Sequence, residues 1–247
     1  MKVLLIGYGS MGKEIEKALI SRGHSLSGFV DPIAPGGHKE VTANLLEKAD
    51  VVIDFSSPAA VESNCDIYVQ GKTPVVMGTT GWEQIREKIE KKVNKAGIGF
   101  IWGSNYSIGA HLFFILAEKA ASLINSLPEY DILLHEYHHR RKKDSPSGTA
   151  LTAASKILEQ LDRKETITTQ TLDRQIKENE LHVTSTRCGE IHGTHTLMLD
   201  SAADTIEITH RARNRSGFAL GAVMAAEWVK DKKGFITVER FIKELLG

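Results

Sequence analysis

The chain has 247 residues, enough for one large domain or two modest ones that each bury a core. Lysine plus arginine equal aspartate plus glutamate at 31 each, so no global field draws the chain to nucleic acid or to a membrane surface. The two cysteines, Cys65 and Cys188, exclude a disulfide framework and a thiolate zinc site, and with no apolar run near roughly 18 residues they imply a soluble, cytoplasmic protein.

In chain order, "KVLLI" (2–6), "SLSGFV" (25–30), "VVIDF" (51–55), "PVVMG" (74–78) and "GIGFIW" (97–102) predict strands. Between them 11–21, 58–70 and 82–96 carry helical patterns. Apolar strands alternating with helices predict an α/β fold with a doubly wound parallel sheet of Rossmann type. Residues 111–124 read as a helix too apolar for a surface. The pattern then changes, to a strand over 131–139, a helix from "PSGTALTAASKILEQL", strands near 181–187, 191–199 and 203–210, and a helix over 217–230. Consecutive strands predict a second α+β domain on a mixed or antiparallel sheet. The expected division is a dinucleotide-binding domain at 1–106, completed by 217–247, and a substrate-binding and oligomerisation domain at 107–216.

"IGYGSMG" sets Gly7, Gly9 and Gly12 in G-x-G-x-x-G spacing between a strand and a helix. The first glycine permits the turn, the second lets backbone approach a pyrophosphate, and the third lets the helix press on the strand. Asp31 follows Gly12 by 19 residues, where a carboxylate can accept from an adenosine ribose hydroxyl. Pro32 after it and Ser10 in the loop favour NADH over NADPH, because neither offers a cation to a 2′-phosphate. "GTTG" (78–81) and "GSNYS" (103–107) follow later strands, where a sheet of this kind holds its ligand. The alternative is that Thr80 and Ser104 are ordinary helix caps.

The densest segment is "EYHHRRKKDSPSGTA" (136–150). On a strand Glu136 and His138 share one face, and Tyr137 and His139 the other, so the adjacent histidines do not converge on one metal unless the strand ends between them. A zinc site needs three or four convergent ligands, for which His192, His195 and His210 are the further candidates; no metal is expected. The basic run by itself is a solvated loop. Lys142 stands out because His138 precedes it by four residues and a helix start at Gly148 and Thr149 follows. Lysine, histidine and free helix N–H groups together make a pocket for a small di-acid.

That segment resembles the signature of the 4-hydroxy-tetrahydrodipicolinate reductase (dihydrodipicolinate reductase) family, Glu-x-His-His-x-x-Lys-x-Asp-x-Pro-Ser-Gly-Thr-Ala. "IGYGSMG", "VVIDFSSP", "GTTG", "SNYSIG", "RCGEIHGTHTL" and "IEITHRARNRSGFALGA" fall in the family's order over nearly the whole chain. Ser10, Ser104 and Tyr106 depart from the commoner Arg, Ala and Phe, which bears on cofactor preference more than on the reaction. The resemblance implies an NAD(P)H-dependent oxidoreductase acting on a small cyclic dicarboxylate in the diaminopimelate route to lysine. It implies His138 as proton donor, Lys142 as second donor and clamp, and His139, Ser147, Gly148 and Thr149 as substrate contacts. Its cofactor contacts map to Gly7, Tyr8, Gly9, Ser10, Met11 and Gly12, to Asp31, to Gly78, Thr79 and Thr80, and to Gly103, Ser104, Asn105 and Tyr106. It also implies a homotetramer built on the second domain's sheet. For His192 and His195 a cofactor-side or packing role is expected, and for Glu207, His210 and Arg211 a polar cluster at the domain junction.

Overall fold

Runs of valine and isoleucine fit the pleated, doubly covered centre of a parallel sheet, where β-branched side chains pack well on both faces. In the computed structural model, which describes residues 1–247, they form the strands expected. The chain runs β1 (Lys2–Ile6), α1 (Ser10–Ser21), β2 (Ser25–Val30), α2 (Ala43–Leu46), β3 (Val51–Asp54), α3 (Val61–Gln70), β4 (Val75–Met77), α4 (Arg86–Ala96) and β5 (Gly99–Trp102). Next come α5 (Ile108–Ile124), β6 (Asp131–His138), α6 (Gly148–Leu158), β7 (Thr166–Thr168), β8 (Glu180–Arg187), β9 (Thr194–Asp200) and β10 (Thr205–Arg211). The chain closes with α7 (Ser216–Val229), β11 (Gly234–Thr237) and α8 (Val238–Leu246). It divides into two compact units, Met1–Ile108 with Arg215–Gly247, and Gly109–Asn214.

The first unit holds a six-stranded sheet in the order β11-β5-β4-β3-β1-β2, with every pair parallel. Val3, Leu4, Val51, Val52, Val75, Val76, Phe100 and Ile101 are fully buried in it. Each such side chain stabilises by about 2 kcal/mol, so the strand register is strongly specified. The strands end level: Ile6 pairs with Val30 and with Asp54, Asp54 with Met77, and Met77 with Trp102. The direction of winding reverses between β1 and β3, and in such sheets that reversal opens the ligand crevice. Strand β11 was not expected; four residues after a charged turn leave too short a pattern to read.

The second unit holds a mixed sheet in the order β10-β9-β6-β8-β7. β6 and β7 run parallel to β8, and β9 runs antiparallel to β6 and β10. The three-residue β7 has no sequence signal of its own. Helices α5 and α6 lay Phe113, Phe114, Ala117, Ala121, Ala150, Ala154 and Ile157 on Leu134, Leu181, Val183 and Leu197 of the sheet. Residues 111–124 read as too apolar for a surface, yet α5 leaves Leu112, Ile115, Leu116 and Leu123 exposed. No helix is long and apolar enough to cross a membrane.

Helix α7 is apolar nearly all round because it is buried in the first unit, with Ala219, Ala222, Val223, Ala226 and Val229 in the core. Gly221 takes the closest approach. An added methyl there would stand 1.7 Å from the Tyr106 carbonyl oxygen. Alanine gains about 1 kcal/mol of helix propensity over glycine, less than the cost of forcing that backbone apart. Gly221→Ala is therefore expected to lower stability by roughly 2 kcal/mol or more in denaturant unfolding; an unchanged or raised midpoint would contradict the packing described.

Candidate functional site

The level strand ends gather one set of expected residues. Gly7, Asp31, Gly78 and Gly103 are the first residues beyond β1, β2, β4 and β5, so they lie along one edge of the sheet. Two glycines of the loop are required by space. A Cβ on Gly7 would fall 2.2 Å from the Phe55 carbonyl oxygen, and one on Gly12 2.4 Å from that of Gly7. Gly9 has nothing within 4 Å of its added Cβ, so open room stands over the N-terminus of α1. No side chain caps that helix and its first turn carries no acid, leaving backbone donors and a positive dipole end for an anion.

Asp31 accepts from Tyr8 N at 2.8 Å with one oxygen, and from Ile33 N at 2.9 Å and Ala34 N at 3.0 Å with the other. These amides hold its carboxyl below the usual range, and it is ionised at neutral pH. The Tyr8 ring stacks on Phe29 at 3.9 Å and its hydroxyl bonds Glu16, which sets the shape of the loop. Ser10 and Met11 open α1.

The two later glycine loops are built differently from expectation. Thr79 is buried, and its hydroxyl donates to Asp54 and accepts from Ser56 N at 2.8 Å. Asp54 is fully buried and also accepts from Tyr68 at 2.7 Å and from Ser56, tying the ends of β3 and β4 together. Tyr106 is buried too, its hydroxyl donating to the carbonyls of Met77 and Ile101 at 3.0 Å each. Both side chains are thus engaged in the fold, which leaves their main chain to face the sheet edge. Thr80 and Ser104 stay exposed. Neither caps a helix, since α4 begins at Arg86 and α5 at Ile108. Asn105 accepts from Ser107 N at 2.8 Å.

In the second unit the strand alternation places Glu136 and His138 on the buried face of β6. Glu136 is fully enclosed, and its two oxygens have different partners. Oε1 accepts from Ser147 N at 3.0 Å, Ser185 Oγ at 2.9 Å and Arg187 Nη2 at 3.0 Å. Oε2 accepts from the Ser147 hydroxyl and lies 3.3 Å from both His138 Nδ1 and His195 Nε2. Burial acts to raise its pKa, but the donors from His138, His195, Ser147 and Ser185 outweigh it and hold the carboxyl well below the ordinary range. The imidazoles of His138 and His195 meet edge to face at 5.2 Å, and His210 stacks beyond at 6.2 Å. Burial and the nearby His195 depress the pKa of His210.

Ser147 also caps α6, its Oγ accepting from Ala150 N at 3.2 Å. Its hydroxyl proton and its N–H both point to Glu136. Gly148 and Thr149 begin the helix on the exposed side, with no acid in its first turn. Lys142 Nζ pairs with Asp144 at 2.8 Å, and its backbone N–H bonds the His139 carbonyl at 3.1 Å. The pairing lowers the Asp144 carboxyl, with the Gly148 amide adding to it. His139 lies outside β6; partial burial first, then nearby Arg141, lower its pKa. Arg141 pairs with exposed Glu190, and Lys143 is exposed.

Glu136, His138 and His195 bring three potential ligand atoms within 4.8 Å of one another. The carboxylate, however, is already filled by protein donors, including the Arg187 guanidinium, so a cation there would meet a cation. The cluster is an ionic hydrogen-bond network. Glu207 and Arg211 alternate away from His210 on β10 and so do not form the cluster expected with it. His192 precedes β9, and only His195 enters the network. Sequence reasoning missed Asp54, Arg187 and Ser185, and noted Glu136 only for its face. The i, i+2 spacing of Glu136 and His138 was the available signal.

Fold and site together define a nicotinamide-dinucleotide-dependent oxidoreductase with a Rossmann-type unit and a second, acid-bearing unit. The family description "Dihydrodipicolinate reductase, N-terminus" matches residues 1–106, and "Dihydrodipicolinate reductase, C-terminus" matches 109–242. The chain belongs to the dihydrodipicolinate reductase family. It is 39% identical over 247 residues to the 4-hydroxy-tetrahydrodipicolinate reductase of Christiangramia forsetii, covering 99% of both chains. It is 36% identical over 205 residues to that of Rickettsia bellii, covering 83% of this chain and 80% of the other. Its fold matches a dipicolinate-bound dihydrodipicolinate reductase from a Paenisporosarcina species with a TM-score of 0.76 at 21% identity, over 96% and 97% of the two chains.

The depressed Glu136 carboxyl carries a consequence for stability. The native group stays ionised below its ordinary pKa of 4.5 while the unfolded chain takes up a proton there. The contribution is complete above that value and declines as pH falls below it. Between about pH 5 and about pH 3 the wild-type denaturant midpoint is expected to fall more steeply than that of Glu136→Gln, which is less stable at neutral pH. Parallel slopes for the two proteins would show that folding leaves the Glu136 pKa unshifted.

Proposed function

We propose that the chain divides the family's reaction, NAD(P)H-dependent reduction of 4-hydroxy-tetrahydrodipicolinate to tetrahydrodipicolinate with loss of water, between its two units. The dinucleotide, when bound, supplies hydride to the substrate ring. In the first unit the backbone of Gly7 to Gly12 would hold its pyrophosphate at the N-terminus of α1, and Asp31 its adenosine ribose. Gly78, Thr80, Gly103, Ser104 and the main chain of Asn105 would border the other half. The room over Gly9 and the uncapped helix support this fit.

In the second unit His138 would deliver a proton to the carbon next to the one reduced, a general-acid task that an imidazole can perform. The backbone donors of Gly148 and Thr149, the Thr149 hydroxyl, Lys142 and His139 would bind the substrate carboxylates. Lys142 now holds Asp144, so a substrate carboxylate would take over the place of that internal anion. The observation that carries the reading is a single buried carboxylate joining acid to anion site. Glu136 faces His138 with Oε2 and holds the N-cap residue of α6, Ser147, with both oxygens. A small cyclic dicarboxylate is the substrate class that needs both together.

NADH is the favoured reductant, because Asp31 is ionised and neither Pro32 nor Ser10 neutralises it against a 2′-phosphate. A homotetramer in the cytoplasm is the assembly and location that the family resemblance supports. The face of the second sheet away from α5 and α6 is a shallow groove of about 450 Å³ lined by Tyr137, Thr184, Thr196, Met198 and Thr209, and is the surface proposed to mediate it. Light scattering would then give four times the chain mass.

With substrate generated by a coupled enzyme, reduced-cofactor absorbance should fall with either nucleotide and with a higher kcat/KM for NADH. Consumption of neither overturns the reaction. His138→Gln is expected to cut kcat by about 100-fold or more with a small change in KM, the usual scale for a lost general acid; a wild-type rate removes His138 from the chemistry.

A further inference from the structure

The mechanism leaves one strongly held group without a part in the chemistry, the Glu136 carboxylate. Its Oε1 receives three fixed donors, from Ser147 N, Ser185 and Arg187. Three anchors on one oxygen stop the carboxylate from turning, which fixes the direction of the other. Oε2 is thereby held 3.3 Å from His138 Nδ1, a nitrogen that is shielded from solvent, meets this carboxylate as an ion-pair contact and has no hydrogen-bond partner. The opposite ring nitrogen has different surroundings. His138 Nε2 lies under Gly193, where an added Cβ would come to 3.0 Å and where glycine leaves that room free.

We propose that Glu136 is a positioning residue that keeps the His138 proton on Nδ1, leaving Nε2 as the nitrogen that serves the substrate. The inference rests on His138 being the proton donor and adds the reason that it is oriented for that task. An ionised carboxylate facing a buried Nδ1 stabilises the Nδ1–H tautomer, because the other tautomer would set a lone pair against a negative oxygen. During turnover the imidazolium gives up the Nε2 proton and retains the one on Nδ1. Glu136 is not itself protonated and stabilises the cation through charge, the role such a carboxylate plays behind other catalytic imidazoles. Gly193 completes the arrangement by keeping side-chain atoms off Nε2.

Other charged groups also face His138. Arg187 is its register partner on β8, and His195 meets it from β9. His139 and the Lys142–Asp144 pair follow it in the chain. Apart from Asp144 these are cations or groups that become cations, so Glu136 is the buried anion that favours a protonated His138 among them. Its removal therefore has a definite sign. The His138 pKa falls, and the limb of the kcat profile along which the acid is lost with rising pH moves to lower pH.

Two measurements test this. In the wild-type protein with 15N-labelled histidine, the neutral His138 signals should report Nδ1–H and a bare Nε2. The opposite tautomer, the one free imidazole side chains prefer, overturns the inference without any variant having to fold. In Glu136→Gln the acid limb should move down by about one unit or more, the usual scale for losing an opposite charge at this range. At a pH above the limb that is about a tenfold loss in kcat, with KM little changed. A merely structural Glu136 would lower the unfolding temperature and leave the limb in place, and that result also overturns the proposal. The underlying reading fails separately: if His138→Gln turns over normally, His138 is not the donor whatever its tautomer. If that variant is inactive but wild-type His138 carries its proton on Nε2, only the positioning role is lost.

Discussion

A buried carboxylate with fixed donors organises the second unit. Placing an ionised glutamate in a protein interior costs several kcal/mol unless its oxygens are satisfied, so the surrounding chain must supply donors in good geometry. Glu136 draws them from its own strand, from β8, from β9 and from the start of α6. Ordering the segment from 139 to 146 follows from this demand. One end is held by β6 and the other by Ser147, while Arg187 also donates to the Asp144 carbonyl at 2.5 Å. The loop that carries Lys142 is therefore fastened at both ends and in the middle, and its lysine is exposed enough to exchange partners.

The first unit achieves a similar result through backbone register. Parallel strands of nearly equal extent end level, and each following residue starts its loop along the same edge. Asp54 has a role there comparable to that of Glu136, as a buried acid that gathers Ser56, Tyr68 and Thr79 at the strand ends. In both units a carboxylate within the fold holds the loops, and the groups left at the surface are backbone N–H groups, glycines and a lysine. Such groups suit anionic ligands, a pyrophosphate in one case and carboxylates in the other.

Glycine spacing with a strand before it and a helix after it was readable because each glycine meets a local steric need. The steric need was correct for Gly7 and Gly12, which press on backbone, while the room over Gly9 supports the need for close ligand approach. The alternation in "EYHH" likewise separated His138 from His139 correctly, since period two is a property of any strand. The internal partners of the Thr79, Tyr106 and Ser147 hydroxyls were not readable, for one shared reason. A hydroxyl in a signature segment looks the same whether it faces a ligand or a buried acid, and only the distant partner decides. Strand β11 and the three-residue β7 were missed because so few residues hold no measurable period.

Local patterns thus carried the class of fold, the phosphate loop, the faces of β6 and the family to which the chain belongs, because each depends on residues near one another along the chain. The convergence of Glu136 with Ser185, Arg187 and His195 depends on strand order and register, in which residues some fifty positions apart become neighbours. No spacing rule encodes that pairing, since hydrogen-bond partners across a mixed sheet follow from which strands lie side by side. The acid was visible in the chain, and the fold determined what holds it.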